Sequence, residues 1–78
     1  MRLLSAARMI APIVVTLPGL LRMRLRLALT QEQLAARAGI QRLTVTRLEQ
    51  GHEARVTTLA KLADALECSP DDLMREQP

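Results

Sequence analysis

Between Thr30 and Gly51, two short helical patterns separated by a single glycine constrain this chain more than any other feature. Thr30-Gln-Glu-Gln33 has the form of a capping box: the Thr30 hydroxyl accepts the amide of Gln33, and the Gln33 side chain reaches back. Leu34 and Ala35 follow in mid-helix, and Gly39 ends the pattern, since it takes φ > 0 at no Cβ cost. The second pattern starts near Gln41 and ends at Gln50, before Gly51. Two helices joined by so short a turn cross at roughly 90–120°. Their backbones then nearly touch at Ala35, where a larger side chain would push them apart. Ile40, Val45 and Leu48 fill the wedge. Leu34, Ala35, Gly39, Ile40, Val45 and Leu48 are therefore the expected structural set of the turn.

The flanks are helical too. From Pro18 the apolar period is 3.6, and Pro18 suits a first helical position. That helix is expected to reach about Ala28, with Leu20, Met23 and Leu27 along one face, Leu21 and Leu25 widening it, and Arg22 and Arg26 elsewhere. After a polar connection at Gly51–Arg55, Thr57 or Thr58 is expected to cap a fourth helix running to about Leu66. Ser69-Pro-Asp-Asp72 joins a cap, a helix-starting proline and acids at the positive end of the dipole, which predicts a short fifth helix anchored by Leu73. The fold expected is all-α. With 78 residues the chain has room for one domain, and with no aromatic residue its core must be Leu, Ile, Val, Ala and Met. One cysteine, Cys68, excludes an internal disulfide and a four-cysteine zinc site; with a single histidine, no metal or other cofactor is expected. Cys68 itself reads as a buried hydrophobe under the fifth helix.

Residues 1–17 differ from the helical domain expected over 18–76. Ile13–Leu17 is apolar and β-branched, a short strand or extended arm. An isolated edge strand seeks a partner, so the arm is a candidate dimerising strand; the alternative is an arm folded back on its own helices. A basic start before an apolar stretch also suggests a secretory signal, but Arg8 interrupts the run and no small-residue cleavage pattern follows. Pro12 and Pro18 enclose only five residues, against about 20 needed to span a bilayer, so no membrane segment is expected. Charge is asymmetric as well. Residues 1–29 carry five arginines and no acid, whereas residues 30–78 carry six basic and eight acidic side chains. A chain basic at one end suits a polyanion or an anionic membrane surface.

Leu29-Thr-Gln-Glu-Gln-Leu-Ala-Ala-Arg-Ala-Gly39, Thr44-Val-Thr-Arg-Leu-Glu-Gln-Gly51, Thr58-Leu-Ala-Lys-Leu-Ala-Asp-Ala-Leu66 and Ser69-Pro-Asp-Asp-Leu73 together resemble the Xre/Cro-type, lambda-repressor-like helix-turn-helix family. The resemblance spans about Leu20 to Leu73 and implies a compact five-helix domain whose third helix enters the major groove of double-stranded DNA. The chain departs from the family pattern at Ala28 and Glu67, where glycine is usual, so each is expected to adopt a left-handed conformation. Gln41 is a weak cap for the third helix, and Ala54 or Arg55 replaces a common proline.

The expected reading face is Arg42, Leu43, Thr46 and Arg47. A guanidinium fork pairs with O6 and N7 of guanine, an outward leucine meets a thymine methyl, and a threonine hydroxyl bonds a base or phosphate. Arg47 suits a base or a phosphate. Gln41, Thr44 and Arg55 are further candidate DNA contacts, with His52, Arg22 and Arg26 at the margins. Gln31, at the start of the second helix, is a candidate phosphate contact or a plain helix-start residue. By resemblance, Arg24 pairs with Glu49 and ties the recognition helix to the domain body. The function expected is a sequence-specific transcriptional regulator, a repressor acting as a homodimer in the cytoplasm on an inverted repeat. The alternative is an antitoxin-type module that holds a small protein partner through its arm. Nothing supports an enzyme: the Asp71-Asp72 pair is explained by capping, and no glycine-rich phosphate loop is present.

Overall fold

The computed structural model describes residues 13–76. Two short strands, β1 (Val14–Val15) and β2 (Ala54–Arg55), accompany five helices. These are α1 (Leu20–Arg26), α2 (Gln31–Ala38), α3 (Arg42–Glu49), α4 (Val56–Leu66) and α5 (Pro70–Met74). The local signals act where the sequence places them. Thr30 and Ser69 both close capping boxes, with Gln33 and Asp72 respectively. Gly39 (φ 72°), Ala28 and Glu67 (both φ 56°) are left-handed. For the two non-glycine residues that conformation costs about 1–2 kcal/mol each.

Leucine supplies most of the core. Leu17, Leu20, Leu34, Leu62 and Leu73 are fully buried together with Val45, and Ala35 sits tightly beside them. Each fully buried leucine contributes about 1.5–3 kcal/mol relative to an exposed one. The α2–α3 turn is closed by Ile40, whose amide donates to the Ala35 carbonyl at 3.0 Å.

Three local expectations are corrected. Pro18 lies in a turn, and α1 begins only at Leu20, with Gly19 as its cap. The cause is tertiary: the Gly19 amide donates to the Leu73 carbonyl at 2.9 Å, and a Cβ at Gly19 would stand 2.3 Å from the Asp72 carbonyl oxygen. The first helix also stops at Arg26, because the left-handed Ala28 two residues later turns the chain towards α2. Neither Thr57 nor Thr58 caps α4. Arg55 does so through its backbone alone, because β2 delivers the chain extended into the first helical residue, Val56.

The apolar arm finds a partner within the chain. Val14 pairs with Arg55 and Val15 with Ala54, antiparallel, so β1 straps the connection between α3 and α4. Leu17 continues from the strap into the core, only 2% exposed, and the arm from Ile13 onward is thus continuous with the helical domain. The remainder of the expected arm, residues 1–12, lies outside the described residues. Among the described residues no helix is long and apolar enough to cross a membrane.

Candidate nucleic-acid interface

Helix α3 has two unlike sides because its sequence alternates in helical register. Val45 and Leu48 are buried against α2 and the core, and this turns Arg42, Leu43, Arg47 and Gln50 out to solvent. Leu43 is 52% exposed, an apolar side chain with no core role. Gln41 caps the helix with extended backbone and no side-chain bond, so its amide is exposed. Thr44 is half-buried at the first turn. Arg55 stands exposed on β2, and His52 is exposed in the loop after α3, its amide tied to the Arg47 carbonyl.

A polar clamp holds the other edge of α3. Arg24 reaches Glu49 bidentately, Nε to Oε2 at 2.5 Å and Nη2 to Oε1 at 3.0 Å. Its remaining nitrogen, Nη1, donates to the Leu29 carbonyl at 2.7 Å. The side chains of Arg24 and Glu49 are only 11% and 8% exposed. The hydrogen bond to Glu49 raises the affinity of Arg24 for its proton, outweighing the opposing effect of burial. The guanidinium is therefore charged at any working pH.

Gln31 extends this clamp. Its Nε2 donates to Glu49 Oε1 at 2.9 Å, and its Oε1 accepts from the Thr46 hydroxyl at 2.8 Å. The orientation of the amide is fixed by chemistry: both oxygens of Glu49 accept from Arg24, so the Gln31 nitrogen must face the carboxylate and its oxygen must face Thr46. This arrangement is not visible in the sequence. Its signal would have been the three-residue spacing of Thr46 and Glu49, which puts both on one edge of α3. Gln31 and Thr46, both expected near DNA, are tied to each other and to Glu49, the Thr46 hydroxyl giving its proton to Gln31 or to the Arg42 carbonyl while its oxygen and the second Gln31 N–H stay available.

The arginines on the outer side are differently placed. Among the described residues the ion pairs are Arg24–Glu49 and Arg75–Asp71. Arg42, Arg47 and Arg55 thus carry charge that no described acid neutralises, around an exposed apolar leucine. Beside Arg42, a shallow hollow lined by Arg24, Thr30, Gln31 and Glu32 opens at the start of α2. The first amides of a helix have no partner within it, and they face an anion favourably. Among the described residues no cluster of three or more His, Cys, Asp or Glu side chains could hold a metal ion.

Cys68 is half-buried against the core, and burial, with the nearby Asp72 carboxylate, pushes its thiol pKa up.

Comparison with known proteins agrees with this geometry. A helix-turn-helix family model matches residues 20–73. The chain is also similar to a solved structure, the restriction-modification controller protein C.AhdI from Aeromonas hydrophila, with 34% identity and a TM-score of 0.68. That match covers 70% of this chain and 85% of the other. No curated protein sequence matches the chain. The turn closed by Ala35, Gly39 and Ile40, the exposed face of α3 and the family match over most of the chain lead to one conclusion: the protein belongs to the Xre/Cro-type helix-turn-helix family of DNA-binding transcription regulators.

Proposed function

We propose that this protein is a transcriptional repressor that binds a short inverted repeat as a homodimer, with α3 in the major groove of each half-site. The observation that carries the proposal is the division of α3: one edge is clamped to the domain by Arg24, Gln31 and Glu49, while the face bearing Arg42, Leu43 and Arg47 is exposed, with no ion-pair partner among the described residues. A recognition helix needs both properties, since loosely held side chains would lose in ordering what they gain in contact. Arg42 and Arg47 supply base contacts; Arg55, the amides at the start of α2 and the exposed Gln41 supply contacts to the flanking backbone. Thr44 lies at the margin of the same face.

Two-fold symmetry sets the expected site: half-sites separated by about one helical turn, roughly 34–36 Å. Sedimentation of the chain on a duplex with both half-sites tests this. Two protomers per duplex, with much tighter binding than to one half-site, are expected; one protomer with equal affinity for both duplexes refutes the dimer. The exposed Ile13, Val14 and Val56 near the strap offer an apolar patch for the second copy. The similarity to a restriction-modification controller supports a second reading, in which this chain governs such a gene set. A reporter downstream of the bound site reads the sign of control: lowered expression fits repression, and raised expression replaces it with activation.

A further inference from the structure

Resting on the reading that the protein acts as a homodimer, we infer that the outer edge of β1 is the dimer interface: β1 of one copy pairs antiparallel with β1 of the second, in a four-stranded sheet of order β2–β1–β1–β2. β1 has β2 as its neighbour on one side only. Along an antiparallel strand, successive residues turn their N–H and C=O groups alternately to one side and the other. Of Val14 and Val15, therefore, one meets β2 and the other presents both groups outward. No backbone group of another described segment takes them up. Natural edge strands are guarded by charges, prolines or bulges. Ile13-Val14-Val15-Thr16-Leu17 holds no charge and no proline, and Pro12 and Pro18 end the stretch on either side.

A second copy is the occupant because this edge complements itself. Val14 is 42% exposed and Ile13 66%, and with Val56 they border an open hollow of about 400 Å³. A register centred on Val14 sets that residue against its own copy and Ile13 against the partner's Val15, so only apolar side chains meet. The nearest charge is Arg55, which stands one strand back, opposite Val14. Three strand spacings separate the two β2 strands, about 14 Å, which exceeds the screening length of about 8 Å at physiological salt. The competing apolar surface is α1, where Leu21 and Leu25 are exposed. There Arg22 and Arg26 stand beside the leucines without an ion-pair partner among the described residues, and a second copy would bring like charges together. Pairing of identical strands is two-fold and uses the one edge that β1 has left, so the assembly closes at two. The axis passes beside β2, a short loop after α3, and the two Arg55 residues straddle the centre of the inverted repeat.

The test is sedimentation of the full chain, free and on a duplex with both half-sites, for wild type, Val14→Lys, Val14→Glu and an equal mixture of the two variants. Across a two-fold axis each variant faces its own charge, so the dimer dissociation constant is expected to rise at least about ten-fold in each. In the mixture unlike charges meet, and a heterodimer close to wild-type affinity is expected. Thermal melting by circular dichroism checks that each variant folds. Ile13→Lys and Ile13→Glu, which lie outside the β1–β2 ladder, repeat the test without touching that pairing, and the same pattern is expected. Leu21→Glu is expected to leave the dimer unchanged. Wild-type dimerisation by the charged variants at both positions overturns the inference while the homodimer stands, and gives the hollow to residues 1–12 or to another partner. Folded variants that stay monomeric when mixed, or loss of the dimer in Leu21→Glu alone, overturn it as well. A wild type that is monomeric both free and on the duplex overturns the homodimer itself.

Discussion

Glu49→Ala perturbs the clamp that presents the recognition helix, and its cost can be worked from the geometry. The substitution removes three hydrogen bonds, two from Arg24 and one from Gln31. Arg24 keeps the Leu29 carbonyl but becomes a nearly buried charge without a counter-ion. Breaking a buried pair in this way costs about 3–5 kcal/mol, and this pair sits at the edge of solvent, which argues for the lower figure, about 3 kcal/mol. A domain of this length has a total stability of roughly 4–12 kcal/mol, so the loss is a large share of it. Thermal unfolding followed by circular dichroism is expected to show the midpoint fall by roughly 12–24 °C. Removing both charges together, as in Arg24→Met with Glu49→Leu, is expected to recover much of that loss, because no orphaned ion remains. A fall corresponding to less than about 1 kcal/mol for Glu49→Ala would place the pair among ordinary surface salt bridges and refute the reasoning.

Other perturbations test other parts of the account. Gly19→Ala is expected to destabilise by at least about 2 kcal/mol, since its Cβ meets the backbone of Asp72 rather than a movable side chain; denaturant unfolding measures it. Glu67→Gly and Ala28→Gly are each expected to raise stability by up to about 1 kcal/mol by relieving a left-handed residue, and a lowered melting point for both contradicts that. Arg47→Ala is expected to cost about 1–3 kcal/mol in binding and to relax specificity at one base pair; equal losses on specific and random DNA reassign Arg47 to a phosphate. Burial holds the Cys68 thiol protonated to higher pH than usual, so alkylation at mildly basic pH is expected to be slower in the native protein than after unfolding.

What the sequence makes legible here is local. The capping boxes at Thr30 and Ser69 each need residues three apart, and Gly39 needs only its own backbone freedom; all three follow from neighbours in the chain. The left-handed Ala28 and Glu67 were legible through the helix-turn-helix pattern, against the preference of their own side chains. The unforeseen features are contacts between distant residues. Gly19 is required by a carbonyl 53 positions later, at Asp72, and β1 pairs with a segment about 40 positions on. Once β2 is held extended by that pairing, the start of α4 is decided by the strand rather than by Thr57 or Thr58. The same holds at the interface. Arg42, Leu43 and Arg47 are exposed because Val45 and Leu48 are apolar, a matter of helical period. Gln31 joins Thr46 only because α2 and α3 pack against each other, and no local rule announces that hydrogen bond.

In vitro selection of duplexes by the full chain, run in parallel for wild type, Arg42→Ala and Arg47→Ala, tests most directly that α3 reads DNA through its outward face. The account predicts a wild-type motif of two guanine-containing half-sites in inverted repeat, and relaxation of one position per half-site in each arginine variant. An unchanged motif in both variants, or no motif for the wild type, would contradict it.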